Sequence, residues 1–353
     1  MKTTIEIDGE KILINGKPSY EGIEYKGHSI EGLIMNSRMI QAITDDENPV
    51  TRRLWVYPDT NIWDPERNTN EFCKNLPEYR KYGLLGITVG LQGGGSIYEP
   101  SVWNNCEMSA FKQDGSLKKD WLNRLLKVLE TADSCGIVVI VNYFYWKNIR
   151  LIFEKNIIKA VETATDWLLR TGFKNILVDI ANECGEGWKP EICRPSQIHK
   201  LINIAKSITL NNRRLLVGCS TGGDNLQTEE WLESEDIFFP HGNGNTPEIL
   251  KQRLTKIRQT SSYKKRPRPL IINEDGVDLL NLEAAIESHA SWGFYAQGKG
   301  SQEKIYEKIF GEGEREKDYS KLSGFQTLPV NWSINTDKTK ILFFNKIKEI
   351  TCS

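Results

Sequence analysis

Two apolar stretches of the chain end in the same dipeptide. In "ILVDIANE" the run Ile176–Ala181 delivers Asn182 and Glu183, and in "PLIINE" the run from Leu270 delivers Asn273 and Glu274. A carboxyl at the end of a buried strand sits where side chains leave the core. A pair of carboxyls so placed can divide a reaction between them: one gives a proton to a leaving oxygen and the other attacks the carbon. That is the chemistry of glycoside hydrolysis, and it needs two environments, one that raises a pKa and one that keeps a carboxylate ionised. The amide of Asn182 is suited to holding a sugar hydroxyl in the transition state.

The elements that must position these residues alternate along the chain. Strand-like runs fall within Gly32–Ile43, in "GLLGITVGLQGGG", in "GIVVIVNYFYW", in the run to Glu183, in "RRLLVGCST", in "DIFFPHGNG", in "RPLIINEDG" and in "ASWGFYAQG". Helical spacing covers Asn70–Tyr82, Lys118–Ser134, Lys155–Arg170, Pro195–Thr209, Asn225–Ser234, Pro247–Gln259, Leu280–His289 and about Lys338–Glu349. Strands this continuously apolar are buried on both faces, as in a parallel sheet. Eight strand–helix units predict an α/β fold, a closed (β/α)₈ TIM barrel over residues 1–353 as a single domain. "TIEIDGEKILINGKP" alternates around Asp8-Gly9 and Asn15-Gly16 and predicts a short N-terminal β-hairpin within residues 1–20, packed on the barrel. In such barrels the active site lies at the C-terminal ends of the strands. Glu183 would close the fourth strand and Glu274 the seventh.

The bulk numbers exclude several other classes. The 46 basic and 47 acidic residues nearly cancel, so there is no basic field for nucleic acid. No apolar run approaches a membrane span of about 20 residues. The N-terminus "MKTTIEIDGE" has no apolar segment of a signal peptide, and the seven cysteines are scattered without CxxC spacing. A cytoplasmic location is the simplest expectation, or a secreted or periplasmic one if a leader was removed. There is no HxH, HExxH or calcium-loop pattern, so no metal and no cofactor are expected. GxSxG is absent too, which disfavours a serine hydrolase. The expected partner is a carbohydrate, an oligosaccharide or glycoside; the sequence leaves the oligomeric state open.

From Gly32 to Gly298 the plan resembles the clan A retaining glycoside hydrolases, the cellulase-like (β/α)₈ enzymes that include family 5. The resemblance rests on Asn182-Glu183 at the fourth strand end and Glu274 at the seventh. It implies that Glu183 is the acid/base and Glu274 the nucleophile of a two-glutamate double displacement. It also implies a tryptophan at the eighth strand end, Trp292, and a histidine at the sixth, His241. The sixth strand reads His241-Gly242-Asn243 where family 5 tends to carry His-x-Tyr, and the third carries Asn142-Tyr143 where family 5 often has a histidine.

Other strand-end groups are candidates for binding sugar hydroxyls or charge: Arg38 for holding the nucleophile ionised, with Asn36, Gln92, Asn142 and Tyr143. Trp55, Trp63, Trp103, Trp146, Trp188 and Trp292 lie in loops or at strand ends and are candidate sugar platforms; packing is the competing reading for each. Glu186 and Asp275 are rival acids, Glu186 out in a glycine loop and Asp275 pointing away from the mouth by strand alternation. Asp179 lies on the Glu183 face and suggests a buried structural pair. The long Asp45–Thr69 loop would close one end of a cleft. A catalytically inactive carbohydrate-binding barrel and a transglycosylase using the same residues are the rival functions.

Overall fold

The computed structural model describes residues 1–94, 105–222, 227–298 and 318–351. Strands β1 (Asn36–Arg38), β2 (Gly86–Gly90), β3 (Val138–Phe144) and β4 (Ile176–Ala181) pair in sequence order, all parallel. β5 (Leu216–Gly218, resuming at Ser220–Thr221) pairs with β4 and then with β6 (Phe239–Pro240). The seventh position, β7, is residues 270–271. It has no ladder, only parallel bridges from Leu270 to Phe238 and from Ile271 to Ser291. β8 (Gly293–Phe294) returns to β1, with Gly293 opposite Asn36, and closes the ring. This is the eight-stranded α/β barrel that the alternation predicts.

Among the described residues a main helix follows each strand: α1 (Pro65–Lys81), α2 (Lys119–Cys135), α3 (Ile157–Thr171), α4 (Ile198–Ser207), α5 (Glu229–Ser234), α6 (Pro247–Gln259), α7 (Leu279–Glu287) and α8 (Lys338–Thr351); the short helix Ser261–Lys265 comes after α6. α1 begins at Pro65 rather than at Asn70. The Asp64 carboxylate accepts from the backbone N–H of Glu66 and Arg67, and Pro65 occupies the first turn, where its missing N–H costs nothing. α2 stops at Gly136, whose φ of 72° is the left-handed cap that glycine allows.

Alternation along the strands sorts two cores. Ile34, Leu85, Val138, Ile140, Leu177, Ile237, Phe239 and Ile271 form one cluster, the filling of the barrel. Val139, Val141 and Tyr143 of β3 belong instead to the larger layer between strands and helices. Ile5 and Ile12 of the N-terminal segment join the barrel filling. That segment is a three-stranded antiparallel sheet, Ile5–Asp8, Lys11–Ile14 and Lys17–Pro18, one strand more than the expected hairpin. Its second turn places Asn15 at φ 54° and Gly16 at φ 76°, as a two-residue hairpin turn requires. The Ile5 N–H donates to Lys174 O at 3.0 Å. Since Lys174 precedes β4 and Leu85 precedes β2, the sheet plugs the barrel at the N-terminal ends of its strands, opposite the mouth.

The long loop after β1 is not structureless. It contains a helical turn, Pro49–Arg52, and folds around buried Asp46. The Asp46 carboxylate accepts from the Trp55 indole at 2.7 Å, the Thr51 hydroxyl at 2.6 Å and the Glu107 N–H at 2.8 Å. Trp63 donates to Asp45 at 2.9 Å and stacks on Tyr57 with centroids 5.8 Å apart. Trp55 and Trp63, read from sequence as possible sugar platforms, are loop anchors. Among the described residues no helix is long and apolar enough to cross a membrane.

Candidate active site

At the C-terminal ends of the strands, polar residues from β1, β4, β6 and β7 converge. Arg38 closes β1, and its Nε lies 2.7 Å from Glu274 Oε2. The same guanidinium donates through Nη2 to Asn182 Oδ1 at 2.6 Å. Arg38 thus ties the two Asn-Glu ends together. His241, after β6, is buried between the two acids. Its Nδ1 lies 3.1 Å from Glu183 Oε1 and 3.5 Å from Glu274 Oε2. Asn243 donates to the other oxygen, Glu274 Oε1, at 2.6 Å. Oxygens of Glu183 and Glu274 and the imidazole nitrogen all lie within 4.8 Å of one another. The side chain of Glu183 is 34% exposed against 7% for Glu274. One acid is therefore open to solvent, and the other is enclosed by donors.

The backbone turns sharply to present Glu183. This residue has φ 53°, in the left-handed region unusual for a side-chain-bearing residue. Three contacts hold the turn: the Glu183 N–H donates to Ser220 Oγ at 3.1 Å, the Trp188 indole donates to Glu183 O at 3.2 Å, and the Cys184 N–H donates to Ser220 O at 2.8 Å.

Charge in the site is balanced by contact. Burial would push the Glu183 carboxyl up, but the hydrogen bond from His241, the charge of His241 and the more distant Arg38 outweigh it and hold the carboxyl below its ordinary value. Burial would lower His241, but the charge of Glu274 and the bond and charge of Glu183 raise it above its usual 6.5. Each shift favours the charged form of its group, and the titration belongs to the pair. Asp179, in β4 below, is raised by burial; it accepts from Ser220 N–H at 2.8 Å and Asn273 Nδ2 at 3.2 Å. Glu183, His241 and Glu274 also have the donor types of a metal site. The Arg38 cation 2.7 Å from Glu274 already neutralises that carboxylate, which works against a second cation there.

Not every residue singled out from sequence reaches this cluster. Arg38, Asn182, Glu183, His241 and Glu274 are brought together. Asn142 is buried one strand away, donating to Asp179 O at 3.4 Å. Trp188 acts through the Glu183 carbonyl. Gln92 spends its amide on Ser109 Oγ and Asn148 O and accepts from the Tyr145 N–H, so it splices loops together. Asn36 donates to Ile34 O and Ile272 O inside the barrel. Tyr143 faces α3, its hydroxyl 3.1 Å from Thr165 Oγ1. Trp292 is turned away as well: it packs 5.9 Å from Phe343 of α8, and its indole donates to Asp275 Oδ2 at 2.6 Å. Tyr143 and Trp292 stand on the helix-facing side of the strand pleat, which corrects the expectation that they border the sugar. Asp275 lies in that outer layer too, its pKa raised to about 6 by burial. Glu186 is exposed in its loop. Trp103 lies outside the described residues.

Two residues join the site that the sequence did not point to. Asn243 stands where family 5 tends to carry a tyrosine, and its amide makes the bond to Glu274. Tyr295, one pleat beyond Gly293, has its ring 5.9 Å from the Arg38 guanidinium. Burial and then the Glu274 charge push its phenol well up, so it stays a hydroxyl donor. The signal for Tyr295 was available: alternation from Trp292, outward, puts Gly293 and Tyr295 inward.

The closed (β/α)₈ barrel is a fold that this chain shares with solved glycoside hydrolases. The chain superposes on a GH5-4 broad specificity endoglucanase from Clostridium longisporum with a TM-score of 0.53 at 11% identity, over 95% of this chain and 99% of that one. It superposes on the hyperthermostable endo-1,4-β-D-mannanase from Thermotoga petrophila RKU-1 with a TM-score of 0.50 at 11% identity, over 90% and 99%. At these identities the likeness is one of fold. No family model matches the chain. No curated protein matches it by sequence.

Proposed function

We propose that the chain hydrolyses O-glycosidic bonds with retention of configuration, with Glu274 as nucleophile and Glu183 as acid/base. The observation that carries this reading is the close approach of the two carboxylates, oxygens within 4.8 Å, around one imidazole. Retention requires carboxyl groups about 5–5.5 Å apart, because direct attack leaves no room for an intervening water, whereas inversion requires roughly 6.5–9.5 Å. The fold shared with glycoside hydrolases agrees with it.

The roles follow from the surroundings. Glu274 is enclosed by Arg38 and Asn243 and presents an ionised oxygen to the anomeric carbon. As the C–O bond to the leaving group breaks, a Glu274 oxygen forms an ester bond to that carbon, and Glu183 passes a proton to the departing oxygen. The source of that proton is His241, whose Nδ1 lies 3.1 Å from Glu183 Oε1. The proton crosses that hydrogen bond as the sugar covers the mouth and desolvates the Glu183 carboxylate. In the second step Glu183 takes a proton from water, the water oxygen attacks the anomeric carbon, and the ester to Glu274 breaks. Asn182, held by Arg38 through Oδ1, offers its N–H₂ to the sugar 2-hydroxyl. The Tyr295 hydroxyl is a donor beside the nucleophile.

The test is to trap the intermediate. Incubation with 2,4-dinitrophenyl 2-deoxy-2-fluoro glycosides of glucose and mannose, followed by peptide mass spectrometry, should place one fluorosugar on the peptide containing Glu274. Labelling of Glu183 would reverse the roles. Release of dinitrophenol without a covalent adduct, giving product of inverted configuration, would overturn retention, and no release from a wider aryl-glycoside panel would favour an inactive binding barrel. Product analysis with added acceptor sugars separates hydrolysis from glycosyl transfer.

A further inference from the structure

Beside the mouth lies a hollow of about 390 Å³ between the loop after β3 and the loop after β4. Its wall from β3 carries Trp146, Lys147, Arg150 and Glu154, and its wall from β4 carries Lys189. We propose that this hollow is a subsite for an anionic sugar residue, its charge a uronate carboxylate or a sulfate ester, on a glycan that also reaches Glu183; it rests on the glycosidase reading.

Four observations support it. The first is continuity with the reacting centre. Gly187 and Lys189 flank Trp188, whose indole holds the Glu183 carbonyl at 3.2 Å. On the other wall Trp146 lies two residues after Phe144, whose carbonyl accepts from the N–H of Asn182 at 2.9 Å. Both walls are therefore direct extensions of site residues. The second is the local charge. The chain as a whole is balanced at 46 basic and 47 acidic residues, yet this hollow has three cations against one carboxylate, that of Glu154. Among the described residues neither Arg150 nor Lys189 is in an ion pair; Arg150 donates to the Cys106 carbonyl at 2.9 Å, which fixes its guanidinium in place.

The third is repulsion. Partial burial, and then the charge of Lys189, hold the Lys147 ammonium below its ordinary range. An anion between the two ammoniums relieves that repulsion, whereas a neutral sugar leaves it. The fourth is the aromatic surface. Trp146 is 38% exposed, while Trp55, Trp63, Trp188 and Trp292 are all buried. The Lys147 ammonium sits 3.7 Å from the Trp146 ring centroid, so an apolar face and a cation are presented together. A sugar ring with an acidic substituent has both complements: C–H groups for the indole and a negative charge for the lysines.

The experiment compares matched pairs that differ only in charge, by titration calorimetry on the full chain. One pair is glucuronic-acid-branched xylotetraose and its carboxyl-reduced form; a second is tetragalacturonate and its methyl ester; a third is a sulfated carrageenan tetrasaccharide and its desulfated form. In at least one pair the charged member should bind about 10-fold tighter than the neutral one. The Lys147→Ala, Lys189→Ala double variant should bring that ratio to about 2 or less. A preference in the first two pairs assigns the charge to a carboxylate, and one in the third alone to a sulfate. Equal affinity within all three pairs, or a ratio unchanged in a double variant of native Tm, overturns the subsite. Because the readout is binding, hydrolysis of neutral glycosides with equal affinities sinks the subsite alone. Charge-dependent binding without hydrolysis sinks the glycosidase reading alone.

Discussion

Arg38 and Glu274 form a nearly buried ion pair, Nε to Oε2 2.7 Å, that joins the first barrel strand to the seventh. Its partners are unequal in what their loss leaves behind. Arg38→Met should strand the Glu274 charge in a dry site, at a cost of about 3–5 kcal/mol. Urea denaturation of Arg38→Met and of the double variant with Glu274→Gln measures this. The double variant should be the more stable of the two, because no unpaired charge remains.

The two glutamates should separate by azide rescue. Glu274→Ala should abolish turnover, and azide should then give a glycosyl azide of inverted configuration. Glu183→Ala should still react in its first step with an activated aryl glycoside, whose leaving group barely needs the proton, and should stall in deglycosylation. Azide should relieve that stall with retained configuration. The opposite stereochemistry in the two variants would exchange the assignments.

His241 should set the alkaline limit. Its pKa is raised, so the imidazolium that supplies Glu183 persists above pH 6.5 and is lost as pH climbs through the pair's own value. In His241→Asn the acid is Glu183 alone, and the alkaline limb of kcat/KM should move to lower pH, with turnover down about 100-fold. An unchanged limb would place the proton elsewhere.

Asn243→Ala removes one hydrogen bond to the enclosed carboxylate of Glu274. Bonds to charged groups are worth about 1.5–3 kcal/mol, so kcat/KM should fall by roughly 10- to 100-fold while Tm moves little. Asn243→Ala at wild-type rates would mean that the 2.6 Å contact does not survive substrate binding.

Trp292 and Asp275 should affect stability rather than turnover. The folded pKa of Asp275 is raised from 3.8 to about 6, so its contribution is complete below 3.8 and is lost as pH rises through 6. The Trp292 bond opposes that rise. Trp292→Phe should therefore raise the value further, carry the loss of stability to higher pH, and leave kcat near wild type. Thermal unfolding between pH 4 and 8 reads the shift, and a selective loss of kcat would return Trp292 to the site.

Much of this was written in the chain. Long apolar strands and amphipathic helices made the barrel legible, and the two Asn-Glu ends led to Glu183 and Glu274 because strand ends are where buried chains release polar groups. Parity was harder to read. Their position along the chain puts Tyr143 and Trp292 at strand ends, but strand alternation turns them toward the helices and leaves Tyr295 inside. Asn243 occupies the place of the family 5 tyrosine, and its amide serves the same carboxylate. The Asp46 hub was hidden because its partners, Thr51, Trp55 and Glu107, meet only once the loops are folded.

The small N-terminal sheet seals the far end of the barrel with Ile5 and Ile12. The N-terminal plug and the polar cluster around Glu183 and Glu274 therefore sit at opposite poles, with the filling of the ring between them. A laboratory evolving this protein can treat the poles as separate dials: libraries at Ile5 and Ile12 should yield variants that differ in the temperature they survive, and libraries in the loops after β3 and β4 should yield variants that differ in what they bind, with little cross-talk when the two are recombined.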